Sequence, residues 1–272
     1  MQQVMPVRRV AVANQKGGVG KTTTVVNLGA ALAERGRRVL VIDLDPQANA
    51  STWLGSVDAH ALYDVFENGA PLEDAVRATQ VERLELVPSS SWMTRAERNA
   101  ATQAGAEMIM RQAVDELPPD RWDYLFMDCP PALGLLSYSA LTACDEVLVP
   151  VQTRVMPLAG LVALIQTIDT VKLRLNRRLT LSAVLPCQVD SRTTLSREVV
   201  EALRRRFGDA VMTTMIRESV RIAEAPGHKL PVTRSAPDSA AAADYRAAAA
   251  EFDARSAANG QAQARGHAQH AG

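Results

Sequence analysis

Lysine is scarce in this chain, with four in 272 residues: Lys16, Lys21, Lys172 and Lys229. Two of the four share one glycine-rich stretch, "ANQKGGVGKTT", from Ala13 to Thr23. Gly20, Lys21 and Thr22 fill the last three places of a phosphate loop, G-x-x-x-x-G-K-[ST]. In such a loop backbone N–H groups cradle phosphate oxygens, the lysine neutralises the outer phosphates, and the threonine hydroxyl ligates Mg²⁺. Where the pattern opens with glycine, this chain has Gln15, followed at once by Lys16. The plain reading of Lys16 is a side chain in solvent. The chemical reading is that it reaches the nucleotide of a second, facing molecule, because its own loop already has Lys21 and Mg²⁺. ATP would then hold a dimer together.

Three carboxylates have the spacing to join that loop. "VIDLDPQ" places Asp43 and Asp45 at the carboxyl end of an expected strand, where open α/β sheets bind ligands. Period-two alternation puts both side chains on one side. A lone aspartate there often only caps a helix, but two beside a phosphate loop read as catalytic. "YLFMDCPP" ends an apolar strand in Asp128, the form of an acid that holds Mg²⁺. Cys129, beside it, reads as a small packed residue without a histidine partner. Cys129, Cys144 and Cys187 form no C-x-x-C pair, which gives no support to a zinc site or an iron–sulfur cluster.

These side chains need strands that end at a common edge. Strands are expected at 8–14, 37–43, 83–88, 123–128, 146–151, 179–186 and 210–216. Helices are expected at 22–34, 95–116, 133–143, 158–173 and 194–207. Continuous apolar strands spaced by helices imply an α/β fold: a doubly wound, mostly parallel sheet with helices on both faces, of the P-loop NTPase type. The segment 52–77 reads as irregular, with short helices outside the sheet. An alanine-rich helix at 238–254 closes a single domain spanning 1–255, and the polar tail 256–272 is expected to be disordered.

Composition sets the outer limits. Apolar residues make up 47% and charged residues 22%, a globular balance that argues against overall disorder. The formal net charge is zero, so any contact with DNA must come from a local patch. No stretch has the length of a membrane span, and the opening residues lack a signal-peptide core, so a cytoplasmic protein with no membrane contact is expected.

With "KGGVGKTT", "VLVIDLDPQANAS" and "DCPPALGLLSYSAL" together, the chain resembles the ParA/Soj branch of the deviant Walker A ATPases, relatives of MinD. The resemblance runs from about Arg8 to about Phe252. It implies ATP and Mg²⁺ as cofactors, with Lys16, Gly17, Gly18, Val19, Gly20, Lys21, Thr22 and Thr23 as nucleotide contacts. Lys16 would cross the interface of a face-to-face homodimer, and Lys21 would hold the β- and γ-phosphates of its own nucleotide. Asp45 would orient the attacking water, completing a catalytic set with Lys16 and Lys21. Thr22 and Asp128 would serve Mg²⁺, with Asp43 supporting it from behind. The implied partners are non-specific DNA and a ParB-like protein, with the protein on the nucleoid. Segments 186–190 and 216–231 would flank the adenine.

For DNA, "SREVVEALRRRF" puts basic residues on one helix, with Leu195, Val199, Leu203 and Phe207 spaced for a buried face and Glu201 able to pair with Arg197. The resemblance instead implies Arg192, just before that helix, and Arg221 as phosphate contacts. Two departures stand out. Relatives commonly read I-P-R-N-V-R where this chain has "IRESVR", with Arg217 and Glu218, and many carry an acid where it has Arg154. The competing readings are a MinD-like or other cargo-positioning ATPase and an amide-forming ligase of the same superfamily. The polar C-terminus, with no basic amphipathic helix, argues against the first. Lys16 argues against the second.

Overall fold

The computed structural model describes residues 7–56, 58–154 and 158–268. Seven strands form one sheet: β1 (Arg8–Val12), β2 (Val39–Asp43), β3 (Arg77–Ala78), β4 (Leu84–Val87), β5 (Tyr124–Asp128), β6 (Glu146–Gln152) and β7 (Thr180–Cys187). Their order is β3-β4-β2-β5-β1-β6-β7, with every pairing parallel except β3 with β4. The α-helices in chain order are α1 (Lys21–Glu34), α2 (Asn49–Trp53), α3 (Ala61–Asn68), α4 (Met93–Ala100), α5 (Ile109–Asp115), α6 (Leu135–Ala143), α7 (Leu158–Arg174), α8 (Thr194–Phe207), α9 (Val220–Glu224), α10 (Val232–Ser235) and α11 (Ala240–Ala268).

Strand alternation divides the core into two layers. On one face, Val10, Val12, Val39, Val41 and Phe126 pack against α1 and α11 through Leu28, Leu32, Tyr245 and Phe252. On the other, Ala11, Leu40, Ile42, Leu125 and Met127 meet the helices from α3 to α8. Strands buried on both faces need no polar side, hence their unbroken apolar runs. Among the described residues, no helix is long and apolar enough to cross a membrane.

Several expectations need correction. Residues 210–216 are not a strand. They follow β7 through isolated bridges, Val184 with Val211 and Val189 with Arg217, while the Glu251 carboxylate takes the N–H groups of both Thr213 and Thr214 at 2.8 Å. An acid from α11 thus occupies donors that a ladder would need. The single helix expected over 95–116 is split, because Gly105 adopts the left-handed conformation (φ 80°) between α4 and α5. Helix α8 buries Ser196, Val199, Val200 and Leu203, while Leu195 is exposed. The rest of the expected face holds, with Val199 and Leu203 buried and Phe207 packed against the core; Ser196 takes the place of Leu195, its hydroxyl 3.0 Å from that of buried Thr153. Glu201 pairs with Arg205, not Arg197. At the C-terminus α11 spans Ala240–Ala268. Residues 269–272 lie outside the described residues.

Candidate functional site

Strand β1 is central, and its carboxyl end opens into the phosphate loop. Gly20, at φ 95°, precedes the first turn of α1, and Gly18 lies at φ 72°. Both are backbone settings that a side chain would strain. Asn14 supports the loop from below: its amide donates to the Pro150 carbonyl at 2.8 Å, and its Oδ1 accepts from the Lys16 N–H at 3.1 Å. Val19 is buried and anchors the loop, while Lys16, Gly17 and Gly18 are exposed at its crest. Thr22 and Thr23 follow in the opening turn of α1, where unpaired N–H groups favour an anion.

The two lysines are placed differently. Lys21 is buried, and burial lowers its pKa against the raising influence of Asp128. Its ammonium donates to the Lys16 carbonyl at 3.3 Å. Lys16 extends along the crest, and its ammonium donates to Gln152 Oε1 at 3.4 Å. It is therefore neither buried in its own site nor loose in solvent.

The sheet register brings the carboxylates together. Asp43 ends β2 and Asp128 ends β5 as direct neighbours across the ladder, and both are fully buried. Burial pushes the Asp43 carboxyl up to about 6, against the opposing pull of hydrogen bonds from Ser51. Burial, reinforced by the charge of Asp43, raises Asp128 well above the usual carboxylate range. Asp43 Oδ2 accepts from both the N–H and the hydroxyl of Ser51, at 2.9 and 2.7 Å, and Oδ1 accepts from the Asp45 N–H at 3.2 Å. Asp45 lies just past the strand, buried, and accepts from the Gln47 N–H at 3.0 Å.

Asp128 has far weaker support. Neither carboxylate oxygen has a partner at full hydrogen-bond geometry among the described residues, and the Thr22 hydroxyl is only close enough to oppose the upward push of burial. A buried carboxylate without donors is costly unless a cation meets it. One buried carboxylate with the Thr22 hydroxyl beside it is a donor set that suits Mg²⁺, which is commonly held by one or two protein oxygens with water and phosphates completing the shell.

Sequence reasoning named the loop and the carboxylates but missed four supports: Asn14, Ser51, Gln152 and Gln188. Ser51 was legible in principle as the serine closing "DLDPQANAS". The two glutamines lie at the ends of β6 and β7, far away in sequence, and nothing local marks them. Cys129 is buried with its thiol pushed up by burial, which agrees with a packed residue.

The implied DNA contacts lie elsewhere. Arg192 is exposed ahead of α8 and pairs with Asp190 at 2.9 Å, while Arg221 on α9 pairs with Glu224 at 3.1 Å. The two sequence departures meet: the Arg154 guanidinium pairs with Glu218. Arg217 pairs with Asp244 of α11 at 2.6 Å. A shallow hollow of about 230 Å³, lined by Val189 to Arg192, Arg217 and Glu218, joins the segments expected on either side of the base.

Comparison with known proteins gives the family. A family model described as an AAA domain matches residues 7–181. The sporulation initiation inhibitor protein Soj of Bacillus subtilis is 41% identical over 239 residues, covering 87% of this chain and 94% of that protein. The chromosome-partitioning ATPase Soj of Thermus thermophilus is 41% identical over 249 residues, covering 92% and 96%. A solved structure of cobyrinic acid a,c-diamide synthase from Mycobacterium smegmatis, with bound ATP analog and magnesium, superposes with a TM-score of 0.77 at 35% identity over 89% of this chain and 93% of that one. On the loop, the carboxylate pair and this identity over most of its length, the chain belongs to the ParA/Soj family of deviant Walker A ATPases.

Proposed function

We propose that this protein is a DNA-partitioning ATPase, one domain over 1–255, whose ATP-bound form is a face-to-face homodimer on non-specific DNA. Relatives named for chromosome partitioning support the role. The observation that carries the dimer is the position of Lys16. Lys21 already serves the loop from within, and Lys16 stands exposed at the crest with its charge directed sideways.

The reaction is in-line attack of water on the γ-phosphate of ATP. Loop amides from Gly17 to Thr23 bind the phosphates, and Lys21 neutralises the β- and γ-oxygens of its own nucleotide. Lys16 adds its charge to the partner's nucleotide. Asp45 orients the water and Asp43 holds the Asp45 backbone. Thr22 and Asp128 hold Mg²⁺, which when bound supplies charge neutralisation at the phosphates. Because a catalytic cation comes from the second molecule, turnover waits on dimerisation and then ends it. A ParB-like partner accelerates this step, and release from the nucleoid follows. The protein acts in the cytoplasm, on the nucleoid.

The likeness to a diamide synthase structure favours one alternative, an amide-forming ligase. A ligase turns over ATP only with an amide donor and an acid acceptor. A partitioning ATPase responds to DNA and a ParB-like protein. Size-exclusion elution with ATP and with ADP tests the dimer: the wild-type chain should shift to twice the mass with ATP, and Lys16→Ala should not. An equal ATP-dependent shift in Lys16→Ala removes the cross-dimer role.

A further inference from the structure

The amides at the crest of the loop close into a ring. Lys16 Nζ donates to Gln152 Oε1 at 3.4 Å, Gln152 Nε2 donates to Gln188 Oε1 at 2.7 Å, and Gln188 Nε2 donates to the Gly18 carbonyl at 3.0 Å. Donors and acceptors run in one direction, from the ammonium to a backbone carbonyl two residues further along the same loop. Each bond polarises the next.

Gln188 reaches this position at a cost. It lies at φ 52°, the left-handed region, which a non-glycine side chain occupies only when its surroundings hold it there. Thr153 supplies that hold: its hydroxyl donates to the Gln188 carbonyl at 3.3 Å, and its N–H donates to the Cys187 carbonyl at 3.1 Å. Thr153 is itself fully buried. Strained backbone, a buried support and a directed amide chain converge on one carbonyl of the phosphate loop.

We propose that Gln188 and Gln152 form a clasp that pre-sets the phosphate loop and keeps Lys16 bound within its own chain until a partner's nucleotide competes for it. By holding the Gly18 carbonyl, Gln188 fixes the peptides on either side of it before nucleotide arrives, so nucleotide meets a loop already in shape. Gln152 gives the Lys16 ammonium a neutral acceptor. A neutral amide holds a cation more weakly than a phosphate does, so the contact yields when the second molecule arrives. Both glutamines are positioning residues. The Lys16 half of the clasp rests on the dimer reading above; the Gly18 half does not.

The test uses the full chain with Gln188→Met and Gln152→Met, which keep side-chain length and remove the amide. Binding of a fluorescent ATP analogue with Mg²⁺ is measured at a concentration too low for dimers, and dimerisation with ATP by sedimentation velocity. Gln188→Met should weaken analogue binding by about fivefold, the worth of one hydrogen bond. Gln188→Asn, which favours the same backbone but is too short to reach Gly18, should weaken it alike and guards against misfolding of the first variant. Gln152→Met should lower the protein concentration for half-dimerisation by about threefold to fivefold, a gain that a merely structural residue would not produce. Unchanged analogue affinity in both Gln188 variants overturns the loop role. An unchanged or raised midpoint in Gln152→Met, with Lys16→Ala failing to dimerise, overturns the clasp while leaving the dimer intact. Normal dimerisation of Lys16→Ala instead sinks the dimer reading and the Lys16 half with it, and the affinity measurement still decides the Gly18 half.

Discussion

Asp43 and Asp128 are two acids set side by side where water does not reach, and their response to pH follows from that. The raised value of Asp43, about 6, means the folded chain binds this proton more tightly than the unfolded one. Its contribution to stability is therefore full below the ordinary range near 3.8 and is lost as pH rises through about 6. The effect is shared with Asp128, since neighbouring acids titrate as a pair. Without nucleotide, the wild-type chain should lose stability toward urea between pH 5 and pH 7.5, and Asp43→Asn should show a flatter dependence. An equal slope in the two proteins would detach the effect from this residue. A cation at the unpartnered oxygens of Asp128 would favour the ionised form that burial opposes.

At the scale of elements, most of the architecture could be read from the chain, and the misses have physical causes. Helix α8 was placed at its observed bounds, because Gly208 ends it and its apolar spacing is regular. The parallel strands were found to within a residue or two, since each is an apolar run buried on both faces. Two-residue β3 was missed because so short an antiparallel edge has no periodicity to show. Segment 210–216 was read as a strand because "AVMTTMI" is apolar and β-branched, and no local signal reports a carboxylate arriving from α11. The same limit hid Gln152 and Gln188, whereas the phosphate loop carried its whole signature within a few residues. Removing the intruding acid should expose its role. Glu251→Ala is expected to cost about 1–2 kcal/mol by leaving two donors unmet, and to lose hydrogen-exchange protection at Thr213 and Thr214 first. Retained protection at those amides would show that another group satisfies them.

Across the whole molecule, zero net charge means that, under the proposed function, affinity for DNA would come from few phosphate contacts, doubled by dimerisation. Arg192 and Arg221 are both exposed, and their acidic partners lie at the surface, where ion pairs are worth little and yield readily to phosphate. With ATP present, Arg192→Ala should weaken DNA binding alike for all sequences. It should also reduce the salt dependence, log K against log salt, by roughly 2 per dimer. An unchanged slope would place the DNA elsewhere. The strand order adds a consequence of its own. Everything acidic at the crevice arrives from β2 and β5, on one flank of β1, while the glutamines arrive from β6 and β7 on the other. Thr153, at the end of β6, touches Ser196 in the first turn of α8, just past Arg192. The buried acids and the amide chain thus approach the same loop from opposite banks of a single central strand, so each can be altered by substitution without disturbing the packing of the other.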